Sequence, residues 1–143
     1  MVVTIRLATV EDAAELARLN QEFNGGKLRA EEKVRARLAG NQELVAVAEA
    51  KGGLVGFACA QSFSSFCYEE LQGEITELYV QPSARRQGVA KGLISLLETQ
   101  LRERGVNEVK VLTGQDNHKA IGCYQSCGYQ PDDELLLRKN LRD

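Results

Sequence analysis

Residues 74–101 read EITELYVQPSARRQGVAKGLISLLETQL, and the order of signals inside that stretch decides the fold. Glu74 to Val80 is strand-like, and Pro82, which has no N–H to give to a ladder, closes it. From Val89 onward Val89, Leu93, Leu96, Leu97 and Leu101 recur at the spacing of one helical face, and Gly105 supplies the stop. A strand therefore passes through a short cationic turn into a helix with one apolar side.

That turn, Arg85 to Gly92, has the makings of an anion site. Backbone N–H groups at a helix start lack intrahelical partners, and the positive end of the helix dipole lies behind them. Gly88 lets an anion approach the backbone closely, while Arg85, Arg86 and Lys91 add charge. A pyrophosphate is the natural guest. Neither GxxxxGK[ST] nor GxGxxG is present, so the two best-known phosphate loops are excluded.

Working upstream, Leu44–Ala50 and Leu54–Phe63 are apolar runs joined by Lys51-Gly52-Gly53, a turn that tolerates positive φ, and they predict a hairpin. Thr4–Leu7 predicts a short strand. Thr9, with Asp12 three residues on, predicts an N-cap for a helix through Phe23, whose period is marked by Ala13, Leu16, Ala17 and Asn20. A more charged helix is expected over Arg29–Leu38, ending at Gly40. Downstream, Glu108–Thr113 predicts a strand, Asn117–Cys127 a helix ended by Gly128, and Leu135–Leu137 the start of a final strand. Antiparallel strands feeding a strand-helix-strand unit predict an α/β (α+β) fold with one mixed sheet and helices on both faces.

The 143 residues fit a single domain spanning 1–143, with 43% hydrophobic and 27% charged residues as in ordinary globular chains. A net charge of −2 gives no electrostatic reason to expect nucleic acid. The N-terminal MVVTIRLATVED lacks the apolar run of a signal peptide, and no window approaches the ~20 apolar residues of a membrane helix. A cytoplasmic location without membrane association is the expectation. Cys59, Cys67, Cys123 and Cys127 lack paired CxxC spacing, and His118 is the one histidine, so no metal site is expected.

The motifs now support a resemblance. Arg85-x-x-Gly88-x-Ala90, directly after ELYV and opening an apolar-faced helix, resembles the [R/Q]xxGx[G/A] acetyl-coenzyme A motif of the GNAT superfamily of N-acyltransferases. Asn117-x-x-Ala120-x-x-x-Tyr124-x-x-x-Gly128-Tyr129 resembles the second cofactor segment of that superfamily. The likeness covers Glu74 to about Leu137 by motif and the N-terminal half by element order alone. It implies a mostly antiparallel sheet in which Leu78, Tyr79 and Val80 splay from a parallel neighbour near Val109–Leu112 and pair with the pantetheine arm. It further implies that Arg85, Arg86, Gln87, Gly88, Val89, Ala90 and Lys91 hold the pyrophosphate and that Asn117 bonds the arm or its neighbourhood. Dimers through the last strands are frequent in the superfamily, so a homodimer belongs to the same expectation.

Aminolysis of a thioester asks for a neutral amine, stabilisation of an oxyanion and a proton for the departing thiolate. By resemblance, the backbone N–H near Val80 polarises the thioester carbonyl and Tyr124 protonates the sulfur; the alternative for Tyr124 is a core aromatic. Glu74 and Glu77 are the candidate bases, pointing opposite ways if no bulge intervenes, with a solvated edge charge as the alternative for each. A Cys-His nucleophile has poor support with a single histidine. The acceptor pocket is expected over the two N-terminal helices and the hairpin extension Ser62–Gln72, where Glu22, Phe23, Phe63, Phe66, Tyr68, Glu69 and Glu70 offer aromatic and acidic groups suited to a cationic amine. The expected activity is acetyl transfer from acetyl-coenzyme A to a primary amine: a small amine, an aminoglycoside-like amine, an amino acid or a protein amine. A catalytically silent acyl-coenzyme A-binding regulatory module is the competing expectation.

Overall fold

The computed structural model describes residues 1–40 and 42–142. Five strands form one sheet in sequence order: β1 (Val3–Leu7), β2 (Leu44–Ala50), β3 (Gly53–Phe63), β4 (Leu71–Val80) and β5 (Val106–Val111). The first four pair antiparallel, and β4 pairs parallel with β5. The parallel step needs a crossover, which the helix α3 (Val89–Glu103) provides.

α3 lies over the sheet because its apolar stripe has a matching floor. Val89, Leu93, Ile94, Leu97 and Leu101 are buried against a face on which Ala46, Ala48, Ala58 and Ala60 keep the surface low. Burial of each of the larger side chains is worth about 1.5–3 kcal/mol. The opposite face carries Val47, Leu54, Phe57 and Cys59, which pack with Leu16 and Leu19 of α1 (Ala13–Asn24) and with Val34 and Leu38 of α2 (Glu31–Ala39). The last helix, α4 (His118–Ser126), places Tyr124 in the core on the α3 side.

The entry to α1 is locked by ions. Arg6 on β1 donates through Nη1 and Nη2 to the two Asp12 carboxylate oxygens at 2.8 and 2.9 Å, and the Thr9 N–H donates to Asp12 Oδ2 at 2.8 Å. The Arg6 hydrogen bonds are the main reason that the Asp12 carboxyl is held below its usual range, against the opposing effect of burial. Asp12→Ala is expected to cost about 2 kcal/mol, because it removes both Nη hydrogen bonds of Arg6 to the carboxylate, leaving that guanidinium only Glu49 as an ionic partner, and takes away half of the capping box. Asp12's folded value is depressed, so its contribution is complete above the ordinary aspartate range and is lost as pH falls through the folded value. Chemical denaturation of both proteins at several pH values checks the magnitude and the sign.

The expected elements lie close to the observed ones, with three differences. β4 begins at Leu71 rather than Glu74, and β5 is Val106–Val111 rather than Glu108–Thr113. The expected strand at Leu135–Leu137 is absent: residues 129–142 have no regular structure, and Leu135, Leu136 and Leu137 are exposed. Among the described residues the outer edge of β5 has no neighbour, and the triplet does not pair with it.

Candidate active site

The parallel pairing of β4 with β5 runs from Leu71 opposite Val106 to Ile75 opposite Val111 and ends there. β4 continues to Val80 with β3 as its neighbour, so among the described residues its other edge is unpaired from Thr76 onward. The segment expected to splay, Leu78–Val80, is on this open part; of its expected neighbours, Val109 and Val111 lie in the paired part, opposite Gly73 and Ile75. Thr76 Oγ1, where the two strands part, is buried with no hydrogen-bond partner. Orphaned polar groups of this kind are uncommon in folded proteins and ask for an explanation.

β4 also carries a bulge that sequence alternation could not show. Ile75 opposes Ala60 and Glu77 opposes Cys59, leaving Thr76 as the extra residue. The bulge resets the alternation. Glu74 opposes Gln61, two residues along β3 from Cys59, so Glu74 and Glu77 share the face of α1 and α2 instead of pointing opposite ways.

At the end of β4 the chain enters a one-turn 3-10 helix, Pro82–Ala84, and then the cationic turn. Arg86 and Gly88 have φ of 64° and 78°, both in the left-handed region that favours glycine. A strained non-glycine residue beside a glycine marks a backbone bent for a purpose. α3 starts at Val89 with no side-chain cap, and the Gly92 N–H donates to Gly88 O at 3.0 Å. The N–H groups of 89–91 are therefore the unpaired first turn of a 15-residue helix. Arg85 Nε donates to Val80 O at 2.8 Å, bracing the turn against the end of β4. Arg86, Gln87 and Lys91 are exposed, and Ala90 packs against the core beneath them.

Tyr124 reaches the core from α4. Its ring meets that of Tyr129 edge to face at 5.7 Å, and the Tyr129 hydroxyl donates to Glu98 Oε2 of α3 at 2.7 Å. Burial first, then the charges of Cys123 and Glu77, pushes the Tyr124 phenol up to about 12. Tyr124 is thus protonated at neutral pH. Asn117 serves as N-cap of α4, its Oδ1 accepting from the Ala120 N–H at 3.3 Å, which leaves the side-chain NH₂ for other partners.

On the other face of β4, α1, α2 and the sheet enclose an open pocket of about 340 Å³. Glu77 and Cys59 line it, with Asn20, Asn24, Arg29, Arg37 and Glu43. Burial raises the Glu77 carboxyl above its ordinary range; the Glu43 charge adds to this, and the Asn24 amide, close enough to hydrogen-bond, pulls the other way. Burial also pushes the Cys59 thiol well above its usual value, with Glu43 and Glu77 adding to it. Such a thiol carries little thiolate, so Cys59 is poorly suited to be a nucleophile.

The aromatic and acidic residues expected to face an acceptor lie outside the pocket beside Glu77. Glu22 accepts from Gln81 Nε2 at 3.0 Å and pairs with Arg18 at 3.7 Å. Phe23 stacks on Tyr79 with centroids 5.1 Å apart. Phe63 lies under the Lys110 ammonium at 5.5 Å, while Phe66, Tyr68, Glu69 and Glu70 are exposed on the β3–β4 connection. None of these lines the pocket beside Glu77. Asn20 and Asn24 of that pocket do carry a sequence signal: with Leu16 they form an i, i+4, i+8 stripe, so polar groups continue a buried helix face.

Among the described residues no helix is long and apolar enough to cross a membrane. A family model described as the acetyltransferase (GNAT) family matches residues 11–129. An acetyltransferase of Yersinia enterocolitica is 32% identical over 108 residues, covering 76% of this chain and 72% of that protein. An acetyltransferase of Pectobacterium atrosepticum shows the same identity and coverage. An aminoglycoside acetyltransferase from an uncultured soil metagenomic sample superposes with a TM-score of 0.86 at 20% identity, over 99% of this chain and 97% of that one. A ribosomal-protein-alanine N-acetyltransferase from Brucella melitensis gives 0.80 at 21% identity, over 97% and 100%. AAC(6')-Iy, solved with the bisubstrate analogue CoA-S-monomethyl-acetylneamine, gives 0.84 at 21%, over 98% and 99%. The open edge of β4, the uncapped cationic turn and the family match converge on one statement: the chain is an acetyltransferase belonging to the GNAT family.

Proposed function

We propose that the protein moves an acetyl group from acetyl-coenzyme A directly onto a primary amine held in the pocket beside Glu77. The observation that carries this reading is the geometry of β4. One edge is unpaired beyond Ile75 and runs into the anion-binding turn, while the opposite face presents a half-buried carboxylate to a pocket. The residues fit the donor: the turn 85–91 offers unpaired N–H groups and cations for its pyrophosphate, and β4 from Thr76 to Val80 offers backbone groups to an extended arm. The Thr76 hydroxyl is then a polar group awaiting a ligand.

The donor supplies a thioester-activated acetyl group. Glu77 accepts a proton from the amine as its nitrogen bonds to the acetyl carbon, and the backbone N–H near Val80 steadies the charge on the carbonyl oxygen. Tyr124, which keeps its proton at neutral pH, gives it to the sulfur as the carbon–sulfur bond breaks. The tyrosine is left to recover its proton from solvent. No enzyme-bound acetyl group is needed.

Tyr124→Phe keeps the ring packing on Tyr129 and removes the phenolic proton. Turnover is expected to fall about 10- to 100-fold, with little change in affinity for acetyl-coenzyme A. Thiol release over a panel of primary amines, with calorimetry of donor binding, tests both the variant and the activity. Donor binding without thiol release from any amine would replace the enzyme by a silent acyl-coenzyme A-binding module.

A further inference from the structure

The pocket beside Glu77 is not uniformly acidic. Its lining includes the half-buried Glu43 and Glu77 and the exposed Arg29 and Arg37. The two arginines have no ion-pair partner among the described residues, in contrast to Arg6, Arg18 and Arg35. Arg29 leads into α2 and Arg37 lies in its last turn, so the two ends of one short helix each bring a guanidinium without an ion pair to the lining of one pocket. A guanidinium is the side chain best shaped to take a carboxylate through paired N–H groups.

We propose that the acceptor is a small amino-carboxylate, a free amino acid, with its amine toward Glu77 and Asn24 and its carboxylate toward Arg29 and Arg37. This rests on the acetyltransferase reading of the site. A polycationic acceptor would bring further positive charge to the two arginines. A volume of about 340 Å³ lies near the lower end of ligand pockets, matching a small molecule rather than an oligomeric one.

The test compares acetyl transfer to free amino acids, to their methyl esters and to spermidine, using the full chain and acetyl-coenzyme A, with donor binding measured by calorimetry. At least one free amino acid should surpass its own methyl ester and spermidine by about tenfold or more in kcat/KM, as expected for a charge-assisted contact. In Arg29→Met and Arg37→Met that preference should collapse, mainly through a rise in KM for the acid. Both residues are exposed, so folding of the variants is readily checked by thermal melting. Esters or spermidine acetylated as well as every free acid would overturn the amino-carboxylate assignment and leave the acetyltransferase standing. Donor binding with no transfer to any amine would remove both.

Discussion

Glu77→Gln is expected to lower kcat/KM by about 100-fold or more, the usual scale for loss of a positioned general base. The substitution keeps the size of the side chain at a half-buried site next to the Cys59–Glu77 pair, so the bulge and the pocket should persist. The pH dependence gives a sharper reading. Glu77 must be ionised to accept a proton, and burial with the Glu43 charge holds its carboxyl above the ordinary range. Activity should therefore be present above that raised value and lost as pH falls through it, at a higher pH than an exposed glutamate would give. Glu43→Gln removes one of the two causes and should move the acid limb down. Glu74→Gln, on the same face but absent from the pocket lining, should move neither the rate nor the limb by more than a few-fold. A large loss in Glu74→Gln with an unaltered Glu77→Gln would exchange their roles.

Gly88→Asp should weaken binding of acetyl-coenzyme A by roughly 100-fold. A carboxylate about 5 Å from a phosphate, at an effective dielectric near 20, costs about 3 kcal/mol per facing charge. The backbone effect can be separated from the charge effect. Gly88 has φ of 78°, and a Cβ there would meet no atom within 4 Å, so a side chain has room but a strained backbone. Asparagine and aspartate tolerate this conformation better than other residues and do so about equally. Gly88→Asn should therefore melt like Gly88→Asp while binding the donor much more tightly. Equal affinities for the pair would mean that no phosphate lies against this turn.

Much of this architecture is legible in the chain because its strongest signals are local. The stripe Val89, Leu93, Leu97 and Leu101 buries as its spacing demands, and the turn before it has the left-handed Gly88 that a close anion contact needs. The relation between Glu74 and Glu77 was not legible. Strict alternation sends them to opposite faces, and the one-residue bulge at Thr76 depends on pairing with β3, which no local pattern encodes. The pocket beside Glu77 does lie against the two N-terminal helices, but its polar lining was not legible for a related reason. Arg29, Arg37 and Glu43 look like a solvated charged surface until α2 folds against the sheet, and the aromatic residues that drew attention, Phe63 and Tyr68, sit outside the pocket. Phe23 instead completes a cluster with Phe57 and Tyr79 at centroid distances of 6.1 and 5.1 Å. At the C-terminus, Leu135–Leu137 has the composition of a strand but stays exposed outside the sheet.

The unpaired edge of β4 and the turn before α3 are expected to form one binding site for acetyl-coenzyme A. Calorimetric titration of the purified protein with acetyl-coenzyme A tests it most directly. Saturable binding at one site per chain is expected, abolished or strongly weakened in Gly88→Asp and retained in Glu77→Gln. Absence of binding at millimolar donor, or binding indifferent to the charge at position 88, would contradict it.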